Sequence, residues 1–219
     1  MPVWENGAMT SFAVVDVETT GLDRSADRIV EIAVILLNHN LVEEGRWQSL
    51  VNPGRASAAV EIHGLSDAVL AGAPRFAEIS QHVVDLLTGR VLVAHHAAFE
   101  RAFLTRELTR AGYAGGPDED ACVCTMDQSR IYLPPGPHSL RGVAERLGLS
   151  PATRHRAMSD AETCARLLRC YVELEERGQR YTDAATNREA LPVYPAQWRR
   201  ARGWEPPYSK YSKRPAPGA

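Results

Sequence analysis

Apolar and polar positions repeat along this chain with two periods, the short one first. Phe12-Ala-Val-Val-Asp-Val-Glu18 reads as a strand whose apolar start ends in acids, and Gly21 to Asp27 as a turn. Arg28 to Leu37 is a nearly unbroken β-branched and aliphatic run, apolar on both faces, which predicts a strand buried from both sides. Asn38-His39-Asn40 predicts a hairpin turn, and Trp47 to Val51 a third strand stopped by Pro53, so the chain opens as a three-stranded meander. Then the period lengthens. A short helical piece is expected over Ala58 to Leu65, and Phe76, Ile79, Val83, Leu86 and Leu87 lie at helical spacing between Pro74 and Gly89. Val91 to Ala94 predicts a buried strand, and Phe99, Phe103, Leu104 and Leu108 a helix ending near Gly112. Ala121 to Met126 predicts a strand, and Ser139 the N-cap of a helix closed by Gly148. Ser159-Asp-Ala-Glu162 has the form of a capping box, with Ser159 as N-cap and Asp160 as the first helical residue. Ala161, Cys164, Ala165, Leu168 and Val172 form the buried stripe of that helix. Strands first, then helices alternating with strands, predict an α/β fold: a mixed sheet with helices on its faces.

Composition narrows the class. A chain of 219 residues, 44% hydrophobic, can bury one sizeable core with a short tail left over. No apolar run approaches transmembrane length, so a cytoplasmic protein with no membrane partner is expected. The four cysteines, at 122, 124, 164 and 170, include no Cys-x-x-Cys and no zinc spacing, and are expected to be reduced, mostly buried thiols. The formal charge of -2 is unevenly spread: +6 from Arg177 onward and -8 before it. That basic tail contains Trp198, Trp204, Tyr208 and Tyr211 among its arginines and lysines, a composition suited to stacking on single strands. It suits equally an extension packed back on the domain, or a tether.

The acids decide the chemistry to look for. Asp16 and Glu18 are two apart on a strand and share a face. An apolar face ending in two carboxylates is costly unless cations sit there, and hard divalent ions with oxygen ligands would offset the cost. Alone, the pair also fits a solvated strand edge. Glu100 shares a helix face with Phe103 and Leu104 and leans toward the core; read alone, it is also an ordinary acid of a first helical turn. Asp160 is equally good helix-start chemistry, and His155 is a loop histidine between arginines, though of a residue type suited to taking a proton from water.

Taken together these segments resemble a known family. Asp-Val-Glu-Thr-Thr-Gly-Leu (16–22) followed by Asp-Arg-Ile-Val-Glu-Ile-Ala-Val (27–34) resembles the first motif of the DnaQ-like 3'-5' exonucleases. Ile62-His-Gly-Leu65 and Val93 to Leu104 resemble the segments that follow. His138 to Leu149 and His155-Arg-Ala-Met-Ser-Asp-Ala-Glu-Thr163 resemble the third motif, of the histidine-containing (DEDDh) subtype. The match is collinear over roughly residues 10–176. Two positions depart from the pattern: Glu100 stands where the family usually has Asp, and His96 where it usually has Asn.

The resemblance implies a ribonuclease H-like, three-layer α/β fold with a mixed five-stranded sheet and helices on both faces, spanning residues 10–177, with 178–219 as an extension. It implies hydrolysis of 3'-terminal nucleotides with two Mg²⁺ or Mn²⁺ ions, held by Asp16, Glu18, Asp160 and Glu100, and His155 as general base. Thr19, Thr20 and Gly21 are implied near the sugar and phosphate of the terminal nucleotide, and Ile62, His63 and Phe99 around its base. Phe99 fits plain core equally well. The implied partner is the 3' end of a single strand of DNA or RNA. A polymerase or other protein held through the tail would fit a proofreading or repair role. A different class stays open: an exonuclease-fold module, weak or inactive because of Glu100, that binds nucleic acid or a partner protein.

Overall fold

The structure is a computed structural model and describes residues 10–149 and 156–207. Its central sheet has five strands in the order β3-β2-β1-β4-β5. They are β1 (Ser11–Thr19), β2 (Ile29–Leu37), β3 (Glu43–Leu50), β4 (Arg90–Ala94) and β5 (Cys122–Cys124). The first three pair antiparallel as the expected meander, while β4 and β5 run parallel to β1. That switch in direction leaves the carboxyl ends of β1, β4 and β5 on one side, where open α/β sheets present their crevice.

Every residue of β2 is buried except half-buried Leu36, as a strand apolar on both faces requires. β3 begins earlier than expected, at Glu43, because an edge strand tolerates the exposed polar residues that hide it in the sequence. The helices are α1 (Val60–His63), α2 (Asp67–Ala71), α3 (Phe76–Leu87), α4 (Ala97–Arg110), α5 (Thr125–Tyr132), α6 (Leu140–Arg146) and α7 (Ala157–Glu176). The helix α5 corrects the reading of Ala121 to Met126 as one strand: β5 stops after three residues and the chain turns helical at Thr125. The start of α7 is a second correction. It lies at Ala157, with Arg156 in the N-cap position, so Ser159 is not the cap and Asp160 sits a turn inside the helix.

Two apolar layers sandwich the sheet. Phe12, Val14, Ala33 and Ile35 pack under Leu167, Leu168 and Tyr171 of α7 on one face. Ala13, Val15, Ile32 and Val34 pack against Phe76 and Val83 of α3 and Phe103 and Leu104 of α4 on the other. The chain after α7 belongs to the same body as far as residue 207. A small hairpin, β6 (Ala185–Thr186) with β7 (Pro192–Val193), leads into α8 (Gln197–Arg200). Trp198 joins the first layer, stacked 5.8 Å from Tyr132, and Trp204 the second, both 1% exposed. These two rings are therefore unavailable for stacking on a nucleic acid; Tyr208 and Tyr211 lie outside the described residues.

Backbone bonds run from Trp204 to Gly89 and Arg90, Arg202 N–H donates to Asp120 O (3.0 Å), and Gln197 accepts from Cys124 N–H (3.1 Å). The segment thereby covers the short edge strand β5. Gly203 is required for this: any Cβ there would overlap the carbonyl of Gly89. Among the described residues no helix is long and apolar enough to cross a membrane. Cys122, Cys124 and Cys164 are buried free thiols and Cys170 is half-buried.

Candidate active site

The strand period does what it predicts for Asp16 and Glu18. Both leave β1 on the face that carries Phe12 and Val14, beneath the start of α7. Asp160, one turn into α7, meets them there. One carboxylate oxygen from each of Asp16, Glu18 and Asp160 can be chosen so that all three lie within 4.8 Å of one another. Residues 144 positions apart at the extremes thus form a set of hard oxygen donors suited to a divalent ion.

The fourth acid, Glu100, comes from α4, 5% exposed, and its Oε2 has no hydrogen-bond partner among the described residues. Glu100 is thus buried, as its helix face predicts, and acts electrostatically on Asp16. Burial pushes the Glu100 carboxyl up to about 8, with the Glu18 charge adding to the rise and its own backbone N–H and Arg24 opposing it. Burial likewise raises Asp16 well above the usual carboxylate range, helped by Glu100, Asp160, Glu18 and Glu31. Glu18 rises to about 7, through burial first and then Asp160 and Glu31, while Arg156 pulls it down. Close carboxylates that hold their protons near neutral pH, and an orphaned buried oxygen, form an arrangement that a doubly charged cation would relieve. The residues present fit the divalent metal centre that the sequence resemblance implies.

The other expected residues fall around this cluster. Thr19 Oγ1 donates to Gly21 O (2.7 Å), and Thr20 Oγ1 donates to Asp27 (2.7 Å) and accepts from Arg28 N–H (3.1 Å). Both hydroxyls are engaged within the loop, so they shape it. Gly21 lies against the Asp27 carboxylate so closely that a Cβ would overlap it. Ile62 is 59% exposed, a large apolar side chain open to a ligand. His63 is buried; its Nδ1 accepts from Leu65 N–H (3.0 Å), and its Nε2 lies 3.2 Å from the Ser57 hydroxyl. Phe99 is half-buried, tilted on Phe103 at 4.7 Å and stacked on His96 at 5.9 Å, so it has one foot in the core. His155 lies outside the described residues.

Sequence reasoning passed over Glu31. It is 2% exposed and directly opposite Glu18 across the β1–β2 ladder, and it binds Arg156 Nη2 at 2.8 Å. An acid in the middle of an otherwise apolar run was the available signal. His96 is the other residue of interest here: its Nε2 is buried without a partner among the described residues, and a cavity of about 210 Å³ opens beside it between α4 and the β6–β7 hairpin.

Comparison with known proteins agrees with this geometry. The exonuclease family model RNase_T matches residues 13–168. A DNA polymerase III subunit epsilon-like protein of Rhodobacter capsulatus is 35% identical over 175 residues, which cover 77% of this chain and 25% of that protein. A PolC-type DNA polymerase III of Thermotoga petrophila is 31% identical over 170 residues, covering 76% of this chain and 12% of that one. The chain therefore spans a quarter or less of the length of these relatives. Among solved structures, Exonuclease X in complex with 5'-overhanging duplex DNA superposes with a TM-score of 0.59 at 27% identity, covering 76% of this chain and 93% of that one. Exonuclease I of E. coli in complex with single-stranded DNA gives a TM-score of 0.69 at 18% identity, over 78% of this chain and 42% of that one, and so speaks for the fold alone. With the matched span enclosing all four acids, the chain belongs to the DnaQ-like 3'-5' exonuclease family, with its ribonuclease H-like fold.

Proposed function

We propose that this chain is a metal-dependent 3'-5' exonuclease that releases nucleoside monophosphates from the 3' ends of single strands of DNA or RNA. The observation that carries the reading is the convergence of Asp16, Glu18 and Asp160 within 4.8 Å, with Glu100 buried beside Asp16. Asp16, Glu18 and Asp160 would hold one Mg²⁺ or Mn²⁺, and Asp16 with Glu100 a second. When bound, such a pair supplies Lewis acidity to the attacking and leaving oxygens of an in-line displacement. Glu100 would serve as a ligand in its deprotonated form, its side chain longer than that of Asp by one methylene.

The proton of the attacking water goes to His155, the residue next to Arg156 at the start of α7. Ile62 and Phe99 offer apolar surface to the terminal base, and the Thr19–Gly21 loop offers its backbone to the sugar and phosphate. The relatives that are DNA polymerase III proteins favour a cytoplasmic setting and a polymerase as partner. Burial of the unpartnered Glu100 oxygen favours one rival: a weak or inactive module that binds strands without cutting them.

A 5'-labelled single strand with Mg²⁺ or Mn²⁺ separates the two. The exonuclease reading expects stepwise shortening from the 3' end, abolished by a chelator; an intact strand with both ions supports the binding module. Matched RNA and DNA oligonucleotides then assign the sugar.

A further inference from the structure

Glu31 sits in β2, a strand buried on both faces, and the chemistry above gives it no role. Its carboxylate is nonetheless fully engaged. Arg156 Nε donates to Oε1 and Oε2 (3.2 and 3.1 Å), and Arg156 Nη2 donates to Oε1 (2.8 Å). The backbone N–H of Ala157 donates to Oε2 (3.2 Å). That N–H is one of the donors a helix start leaves unsatisfied, and the N-cap residue of α7, Arg156, provides no side-chain cap. A residue 126 positions earlier in the chain caps the helix instead.

The arrangement has an electrostatic cost. Like charges directly opposed across a ladder are destabilising, and Glu31 raises the proton affinity of both Asp16 and Glu18. An aliphatic residue in this β-branched run would avoid both penalties. What the carboxylate supplies is location. Arg156 is where residues 150–155 join α7, and its carbonyl accepts from the Asp160 N–H (3.1 Å), so the contact to β2 is passed on to the metal-site acid one turn later. We propose that Glu31 is a positioning residue: with Arg156 it forms a latch between β2 and the start of α7. The latch sets Asp160 against Asp16 and Glu18. This placement stands on geometry alone; the consequence for turnover rests on the exonuclease reading.

Two conservative variants and their combination test it. Glu31→Gln keeps the shape and an acceptor for Ala157 but loses the charge that holds the guanidinium, and Arg156→Lys keeps the charge but loses the fork. Hydrogen exchange read by mass spectrometry over 156–162 needs no activity; both variants are expected to exchange at least about tenfold faster there, with the rest of the sheet unchanged. With saturating Mn²⁺, kcat on a single strand should fall about 10- to 100-fold while KM stays within about twofold, since misplacement of roughly 1 Å costs that much. The double variant should be no slower than the slower single one, because the two residues act as one unit.

Unchanged exchange over 156–162 overturns the latch. Faster exchange with wild-type kcat reduces it to a plain structural contact, and so does a loss that disappears when rates are normalised to folded protein. If the wild-type chain shortens no strand with either ion, the exonuclease reading fails by itself, and the exchange measurement still decides whether Glu31 holds α7.

Discussion

Removing the charge at position 100 should stabilise the metal-free protein, and increasingly so as the pH rises. Glu100 moves from an ordinary 4.5 to about 8 on folding, chiefly through burial. Between these values the unfolded chain has released a proton that the native state keeps, so stability falls as pH rises, from just above pH ~5 to pH ~8. The full shift corresponds to about 5 kcal/mol at most, from about 1.4 kcal/mol for each unit. A chain of this size loses roughly 2–4 °C of melting temperature per kcal/mol. Glu100→Gln should therefore gain on wild type by roughly 10 °C between pH 5 and pH 9 in the presence of a chelator. Saturating Mn²⁺ should narrow the gap, since it binds the native carboxylates of wild type better, with up to about 2.7 kcal/mol of stabilisation at a hundredfold excess over Kd. The assay is thermal unfolding by circular dichroism across pH, comparing the two proteins so that the histidines common to both cancel. Among those, His95 matters most, held down to about 4 by burial. Parallel curves for the two proteins, with or without Mn²⁺, would refute the reasoning.

Other outcomes follow from the same geometry. Asp16→Ala should abolish cleavage of a labelled strand, and wild-type rates in that variant would remove Asp16 from the site. Glu100→Asp, which shortens the reach by one methylene, should preserve or raise kcat if Glu100 fills the family position; complete loss would show a site adapted to Glu. Trp204→Ala, emptying a position 1% exposed between β4 and the tail, should cost about 3–5 kcal/mol of stability by urea unfolding. A cost under about 1 kcal/mol would mean that the segment after α7 is not part of the core.

Much of the fold was legible because its signals are local. The period of β1 placed Asp16 and Glu18 on one face, and the apolar run of β2 announced a strand covered on both sides. Helix spacing in α3 and α4 placed Glu100 toward the interior, where it is found. The misreadings share a cause, which is that distant residues settled them. The start of α7 looked like Ser159 from its capping-box letters, but Glu31 satisfies the helix two residues earlier. Met126 read as strand because a short apolar run fits either state, while Gln128 and Ser129, polar yet fully buried, disguised α5. For Trp198 and Trp204 composition left stacking on a ligand and packing back on the domain both open, because it cannot tell an aromatic that meets a ligand from one that meets its own sheet; the second is what is found. At the site, spacing put Asp16 and Glu18 on one face and the family resemblance grouped them with Glu100 and Asp160; only the coordinates add how closely three of them converge and that one Glu100 oxygen has no partner among the described residues.

The whole account depends on carboxylates that keep their protons until divalent ions replace them. Calorimetric titration of the metal-free protein with Mn²⁺ at pH 7, repeated in buffers of different ionisation enthalpy, counts the protons expelled on binding. At least one should leave wild type, and measurably fewer should leave Glu100→Gln, because Glu100 lies near 8 and Glu18 near 7 before the metal arrives. Mn²⁺ binding that expels no proton, or no binding at all, would contradict it.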